Sequence, residues 1–483
     1  METLKGIQQN KMFINGKWVS ALSNETFDVI NPGTGEIIDS VPLGREGEAI
    51  LAVDAADQAF QCWSEKTANE RSSLLMNWFH LVLDHKEEIA SILTAEQGKS
   101  ITEARGEVDY AASFISWNAE EAKRIYGETI PASAQNKRIV VIKQPIGVVA
   151  AITPWNFPAA MFTRKIATAL AAGCTAVIKP AESTPLTAIK LTELAHEAGI
   201  PAGVLNVVTG DPKTIGKAWL DDKRVKKITF TGSTPVGKYL MREAADSIKK
   251  VSLELGGHAP VIVFDDADIE KAVEGVISSK FRNSGQTCVC ANRIYVQRGI
   301  LPEFTEKLKN EVKKIKVGIG TDLDVNIGPL INEAGYLKVQ RHVDDAVKKG
   351  AKIELGGKRM EQFQGGYFFE PTILSGVHEQ MDIMNEETFG PVAPIIPFED
   401  RNEAISQANN SDYGLAAYVY TESLSTAIKI AEKLEFGIVG INDGLPSTAQ
   451  APFGGVKQSG IGREGGRQGI EEFLENKYLS IRI

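Results

Sequence analysis

The stretch that most restricts the fold lies between Ile146 and Ile178. Gly147-Val148-Val149-Ala150-Ala151-Ile152 and Thr175-Ala176-Val177-Ile178 are short apolar runs in which polar and apolar residues do not alternate. A strand with one wet face alternates, so these runs predict parallel strands covered on both faces. Residues 159–172 between them predict a helix, stopped by Gly173. A helix over 186–198 and strands over 204–208 and 227–230 continue the series. A repeated βαβ pattern of this kind gives a doubly wound sheet and an α/β fold class. A second α/β series runs over 260–436, with strands at 261–263, 293–296 and 416–419. The first region is interrupted by Pro154, Asn156, Pro158, Arg164 and Lys165. A membrane-spanning helix needs about 20 nearly unbroken apolar residues, so the reading is buried core and no membrane.

Elsewhere the elements are less constrained. Residues 13–19 predict a hairpin around Asn15-Gly16. Apolar residues at helical spacing predict helices over 46–65, 70–94 and 101–126. Residues 138–143 form a strand beside this helical region, either an assembly element or an ordinary sheet edge. The final residues, 477–483, alternate like a strand that could pair with a partner molecule. Residues 1–11 are polar and lack the apolar core of a signal peptide.

A chain of 483 residues has room for two or three domains. Its formal net charge of -9 offers no basic footprint for nucleic acid. Cys62, Cys174, Cys288 and Cys290 are too few for a disulfide framework, which suits a reducing, cytoplasmic location. The histidines form no metal-ligand pattern, and no metal is expected.

Five stretches carry candidate chemistry. Cys288 follows the apolar run 272–277 and sits among small polar residues, so its thiol can be reached from a cleft. The alternative is a structural cysteine in a small-residue turn. A thiol of pKa about 8.5 needs local help to become a nucleophile at neutral pH. In Thr153-Pro154-Trp155-Asn156-Phe157-Pro158 two prolines clamp a loop after a buried strand. Asn156 there is either an amide donor for an oxyanion or the cap of a helix. Glu254, in Val251-Ser252-Leu253-Glu254-Leu255-Gly256-Gly257, is either a general base with raised pKa or a solvated carboxylate at a strand end. In Phe230-Thr231-Gly232-Ser233 a strand turns into a helix, which is either a site whose free backbone amides suit a phosphate or a plain strand-to-helix turn. Glu386-Glu387-Thr388-Phe389 offers a carboxylate for ribose hydroxyls and a ring to pack beside a flat group, or else plain surface acidity.

Together these motifs resemble the aldehyde dehydrogenase superfamily over essentially the whole chain. The matches are Pro154-Trp155-Asn156-Phe157-Pro158, Lys179-Pro180, Phe230-Thr231-Gly232-Ser233, Glu254-Leu255-Gly256-Gly257, Gly285-Gln286-Thr287-Cys288, Glu387-Thr388-Phe389-Gly390-Pro391 and Pro452-Phe453-Gly454-Gly455, in family order and spacing. The resemblance implies an aldehyde dehydrogenase-like fold with a Rossmann-like cofactor domain (1–125 and 146–255). It also implies an α/β catalytic domain (256–448) and a small β oligomerisation arm (126–145 and 470–483) that makes a homodimer or homotetramer. It implies that Cys288 attacks the aldehyde, that Asn156 and the Cys288 N–H hold the oxyanion, and that Glu254 activates water.

The same resemblance places Trp155, Lys179, Glu182, Gly232, Ser233, Leu255, Glu387 and Phe389 around a nicotinamide cofactor. The Glu182 carboxylate would repel a 2′-phosphate, favouring NAD, while Lys179 beside it leaves NADP use open. Arg164, Arg282 and Ser447 match the residues that hold the distal carboxylate in succinate-semialdehyde dehydrogenases. Oxidation of succinate semialdehyde to succinate is therefore the expected activity, with glutarate semialdehyde or another aldehyde as the alternative. Some relatives with the Cys288-Val289-Cys290 arrangement form a reversible disulfide, which makes Cys290 a candidate redox switch. A second small buried residue is the other reading.

Overall fold

A computed structural model describes residues 10–483. The reading of residues 1–11 falls almost wholly outside them. Two large sheets carry the architecture. The first is 8-stranded, in the order Lys17–Val19, Met12–Ile14, Leu205–Val207, Thr175–Lys179, Val148–Ile152, Val225–Thr231, Lys250–Glu254 and Gly460–Ile461. From Leu205–Val207 to Lys250–Glu254 the neighbours run parallel, and short antiparallel strands close both edges. Strand order reverses beside Val148–Ile152, because the chain steps away from it on one side and later returns to its other side. In open α/β sheets such a switch point leaves a crevice for a ligand at the carboxyl ends of the strands.

The second sheet is 7-stranded, in the order Lys352–Leu355, Thr372–Ser375, Val392–Phe398, Ala291–Gln297, Ala259–Val263, Ala416–Tyr420 and Ile438–Ile441. Only Lys352–Leu355 runs antiparallel to its neighbour. Residues 255–258 lead directly from the carboxyl end of a strand in the first sheet to the amino end of one in the second. The chemistry-bearing motifs gather at this junction.

All fifteen residues of the helix Pro158–Ala172 are buried, Arg164 and Lys165 among them. Pro158 is tolerated at its first turn, where an N–H would lack a partner anyway. Gly173, at φ 94°, ends it in the left-handed conformation that glycine adopts freely. Ile101–Glu121 packs across this helix, and a single apolar core joins both to one face of the first sheet. Trp78 is fully buried in that core, and its indole N–H donates to the Leu191 carbonyl at 3.1 Å. Truncating such a residue costs about 3–5 kcal/mol.

The structure corrects two expectations. The helix expected over 70–94 is two helices, Ala68–Asp84 and Lys86–Gln97, broken at His85, which closes one and opens the other. The terminal strand, which starts at Leu474, earlier than expected, and runs to Arg482, pairs antiparallel with Lys137–Pro145 of its own chain and forms one edge of its sheet. Lys137–Pro145 is the middle strand of a 3-stranded sheet completed by Glu128–Ile130. Among the described residues, no helix is long and apolar enough to cross a membrane.

Candidate active site

Cys288 sits at the junction of the two sheets. Its segment crosses Gly257 so closely that a Cβ there would collide with the Cys288 carbonyl. The backbone before the cysteine is unusual, since Asn283, Ser284 and Gly285 take φ values of 51°, 57° and 75° in succession. Left-handed residues other than glycine are held by their surroundings. Here Glu103 accepts the Asn283 N–H at 2.7 Å, and Ser284 donates its hydroxyl to the Gly328 carbonyl at 2.7 Å. Gln286 accepts the Ile331 N–H at 2.9 Å. The thiol is half-buried, and burial pushes it up to about 12, opposed chiefly by the positive charge of Arg164. A thiol so protonated needs a base before it can act as a nucleophile.

Asn156 hangs from the loop after Val148–Ile152. Its main-chain carbonyl accepts Lys99 Nζ and Asn283 Nδ2, each at 2.9 Å, and its side-chain amide donates to the Gln286 carbonyl at 3.0 Å. The second amide hydrogen and the Cys288 N–H find no protein acceptor among the described residues. Lys99 is ion-paired with Glu107 in a fully buried contact. The other Glu107 oxygen accepts the Ala159 and Ala160 N–H groups at 2.9 and 3.3 Å, capping the buried helix. Neither Lys99 nor Glu107 was legible as a site residue. A buried pair eight positions apart has no sequence pattern of its own.

Glu254 ends the strand Lys250–Glu254, is buried, and has one oxygen without a partner. Burial first, and then the neighbouring Glu464 carboxylate, hold its carboxyl well above the ordinary range. Glu464 is itself held by Lys165, with Arg164 at 3.5 Å. A solvated strand-end carboxylate is thus excluded for Glu254.

Two cavities meet at this centre and share the Phe157 side chain. The larger, of about 510 Å³, is lined among others by Trp155, Asn156, Gly232, Ser233, Leu255, Cys288, Glu387 and Phe389. Trp155 and Phe389 meet edge to face at 5.5 Å. Glu387 accepts the Gly257 N–H at 2.8 Å, and burial pushes its carboxyl up to about 7. Ser233 opens the helix Thr234–Ala244 without capping it by its side chain, and the buried Thr231 hydroxyl is unpartnered. Free N–H groups at a helix start, orphaned hydroxyls and an acceptor carboxylate along one cavity fit a dinucleotide's phosphates and ribose. Lys338 lines the same cavity and was not anticipated. Lys179 and Glu182 stand outside that lining at the neighbouring strand end, paired with each other at 2.6 Å.

The smaller cavity, of about 230 Å³, is lined by Lys99, Glu103, Gly106, Glu107, Tyr110, Phe157, Arg282, Asn283 and Ser447. Arg282 and Ser447 are brought together here. Arg282 has no ion-pair partner among the described residues, and its Nε is unsatisfied. Arg164 is not among the lining residues. It is 2% exposed, lies between the Phe114 and Phe453 rings, and donates to the Tyr110 hydroxyl at 2.6 Å. Cys290 is buried, and its sulfur accepts from Lys280 Nζ at 3.3 Å.

Two α/β sheets with a reachable thiol, a buried carboxylate and a cavity whose lining suits phosphates and ribose at their junction are the marks of a class of oxidoreductase. The chain belongs to the aldehyde dehydrogenase family, whose profile matches residues 18–479. It is 54% identical over 475 residues to the NADP(+) succinate-semialdehyde dehydrogenase of Escherichia coli, covering 98% of both chains. It is 55% identical over 475 residues to a glutarate-semialdehyde dehydrogenase of Pseudomonas putida, again covering 98% of both. Among solved structures, a succinate-semialdehyde dehydrogenase from Burkholderia pseudomallei superposes with a TM-score of 0.97 at 52% identity, over 99% of this chain and 98% of that one. The α/β aldehyde dehydrogenase fold and the enzyme class expected from the motifs are thereby established.

Proposed function

We propose that the chain oxidises ω-oxo carboxylates, succinate semialdehyde foremost, using a nicotinamide dinucleotide and a thioester on Cys288. The observation that carries the substrate class is the smaller cavity, where the unpaired Arg282 guanidinium and the Ser447 hydroxyl sit one aromatic ring away from the thiol cavity. A half-buried cation without a counter-ion favours an anionic tail. Its position on the far side of Phe157 suits a tail that enters opposite the cofactor.

The reaction follows from the groups in place. Cys288 gives up its proton as its sulfur bonds to the aldehyde carbon, and Glu254, with an unpartnered oxygen, is the acceptor at hand. The carbonyl oxygen gains negative charge and is met by the free Asn156 amide hydrogen and the Cys288 N–H. A nicotinamide dinucleotide held along the larger cavity would supply the hydride acceptor that the oxidation requires. Glu254 releases the thiol proton to solvent and then takes a proton from water, whose oxygen bonds to the thioester carbon as the Cys288 sulfur leaves. Lys99 and Asn283 hold the Asn156 main chain throughout, so the donor is preorganised.

Glutarate semialdehyde is the second reading, favoured by the Pseudomonas relatives of that name at 55% and 53% identity. One methylene changes binding by only about 1 kcal/mol. On the cofactor, the expected preference for NAD is not supported. The Glu182 carboxylate is already paired with Lys179, and the Escherichia coli relative uses NADP(+) in its name. We propose use of both cofactors, with this pair tuning the ratio. We also propose a homodimer or homotetramer assembled through the 3-stranded sheet, which leaves Ile130, Tyr478 and Ile481 exposed. The first sheet would serve as the cofactor domain and the second as the catalytic domain.

The test is reduced-cofactor formation from succinate semialdehyde, glutarate semialdehyde and uncharged butyraldehyde, each with NAD and with NADP. The expected result is a kcat/KM for the charged aldehydes at least tenfold above that for butyraldehyde. Equal values would discard the anionic-tail assignment and leave the family assignment standing.

A further inference from the structure

We infer that His342 is a positioning residue for the dinucleotide, fixing from behind the turn of residues 387–389 that lines the larger cavity. The inference rests on the cofactor reading above. One wall of that cavity comes from two elements. The helix Glu333–Lys348 gives Ala334, Gly335 and Lys338, and the turn gives Glu387, Thr388 and Phe389. Lys338, His342 and Asp345 follow helical spacing, so one face of the helix runs from the cavity along the segment that leads into the turn. Asp345 accepts the Asp382 N–H at 2.8 Å. Val339 lies so near Gly390 that a Cβ there would collide with it. His342 sits between these two contacts, fully buried, and is not itself among the cavity's lining residues.

The two nitrogens of its ring act differently. Nε2 lies 3.2 Å from the Glu386 carboxylate, which can only accept, so Nε2 carries the hydrogen. Burial holds the ring below the usual imidazole range, so it is neutral and Nδ1 is an acceptor. The Thr388 hydroxyl, 3.3 Å away, therefore donates to Nδ1. Arg341 donates to the same Glu386 oxygen at 2.6 Å, but both side chains are about half exposed, and such surface pairs add little. The buried link from His342 to Thr388 is the stronger hold on the turn.

This turn needs holding. Phe389 takes φ 56°, a left-handed conformation that a bulky residue keeps only while its surroundings impose it. The two residues before it are anchored to different elements, Glu387 to the Gly257 N–H and Thr388 to His342. Loss of the second anchor frees the turn to relax. The Glu387 carboxylate and the Phe389 ring, which meets Trp155 edge to face, would then lose their fixed places along the cavity. His342 lines neither the smaller cavity nor the thiol's surroundings, so the effect should fall on the cofactor and spare the aldehyde.

The test is the Kd of NADH and of NADPH, read by the fluorescence of the reduced nicotinamide without any turnover. His342→Ala removes a buried hydrogen bond and should raise Kd about tenfold, with KM for the oxidised cofactor rising alongside and KM for succinate semialdehyde little changed. His342→Asn keeps an acceptor where Nδ1 stood and should recover most of the affinity. In a Thr388→Val background, His342→Ala should weaken binding no further, because the two side chains act as one unit. Equal losses in the parent and Thr388→Val backgrounds would show that His342 does not act through Thr388 and would overturn the proposal. A lowered melting temperature with unchanged Kd would mark a merely structural residue and overturn it too. Should His342→Ala fail to fold, the Kd of Thr388→Val decides, since it should rise as far. A parent that binds neither reduced cofactor brings down the cofactor reading itself. A parent that binds one, with a Kd indifferent to these substitutions, sinks this inference alone.

Discussion

The two cavities that meet at Phe157 are built by different means. The larger offers mainly backbone: glycines 232 and 256 and a helix start not capped by its Ser233 side chain. The smaller offers side-chain donors left without acceptors, on Arg282, Ser447 and Tyr110. Backbone recognition is set by topology and is hard to alter one residue at a time. Side-chain recognition is set by a few functional groups and can be removed singly. Substitutions at the junction should therefore damage every substrate alike, whereas those in the smaller cavity should sort substrates by charge.

The largest effect expected is at Glu254. Glu254→Gln should lower turnover by about 10²–10⁴-fold, with the first turnover slowed as well, so that rapid mixing reveals no burst of reduced cofactor. A full burst followed by a stall would place Glu254 after the thioester only. The parent's turnover should also rise with pH. Burial and Glu464 keep the Glu254 carboxyl protonated above the ordinary carboxylate range, and a base acts only once ionised. The variant's profile should lose that rise.

Asn156→Ala removes a donor aimed at the developing oxyanion and should cost about 10²–10³-fold in kcat. The loss should be equal for succinate semialdehyde and butyraldehyde. A loss confined to the charged substrate would break the division between the two cavities. Arg282→Ala should do the reverse. Charge-assisted hydrogen bonds of about 1.5–3 kcal/mol correspond to a roughly 10- to 150-fold rise in KM for the semialdehyde, with little change for butyraldehyde. The smallest effect belongs to Glu182→Gln, which should move the NAD-to-NADP ratio of kcat/KM toward NADP by a few fold. A ratio that stays put would mean that the pairing with Lys179 had already silenced the carboxylate.

The backbone-built cavity was the more legible in the sequence. Apolar runs without alternation located the strands, and the switch point follows from their order, so residues such as Trp155, Gly232 and Glu387 fell into place. Periodicity located the helix Ile101–Glu121 and overran its end by a few residues. It also joined two helices across His85, because residue 85 keeps the apolar spacing while its backbone departs from helical geometry. Glu464 and Tyr110 were invisible for another reason. Their importance comes from partners 299 and 54 positions away, on Lys165 and Arg164, and no local pattern marks a contact of that range. Arg164 was located as important, but the space it faces could not be read from spacing alone.

The three left-handed residues before the nucleophile, Asn283 to Gly285, bear on how this enzyme can be re-engineered. A turn whose shape depends on dihedral preference tolerates only asparagine, aspartate, serine or glycine, with strain for anything bulkier. A library aimed at new tails should hold 283–285 constant and spend its diversity on positions 106, 110 and 447. Those positions belong to other elements, so substrate range and thiol reactivity can be evolved as separate traits.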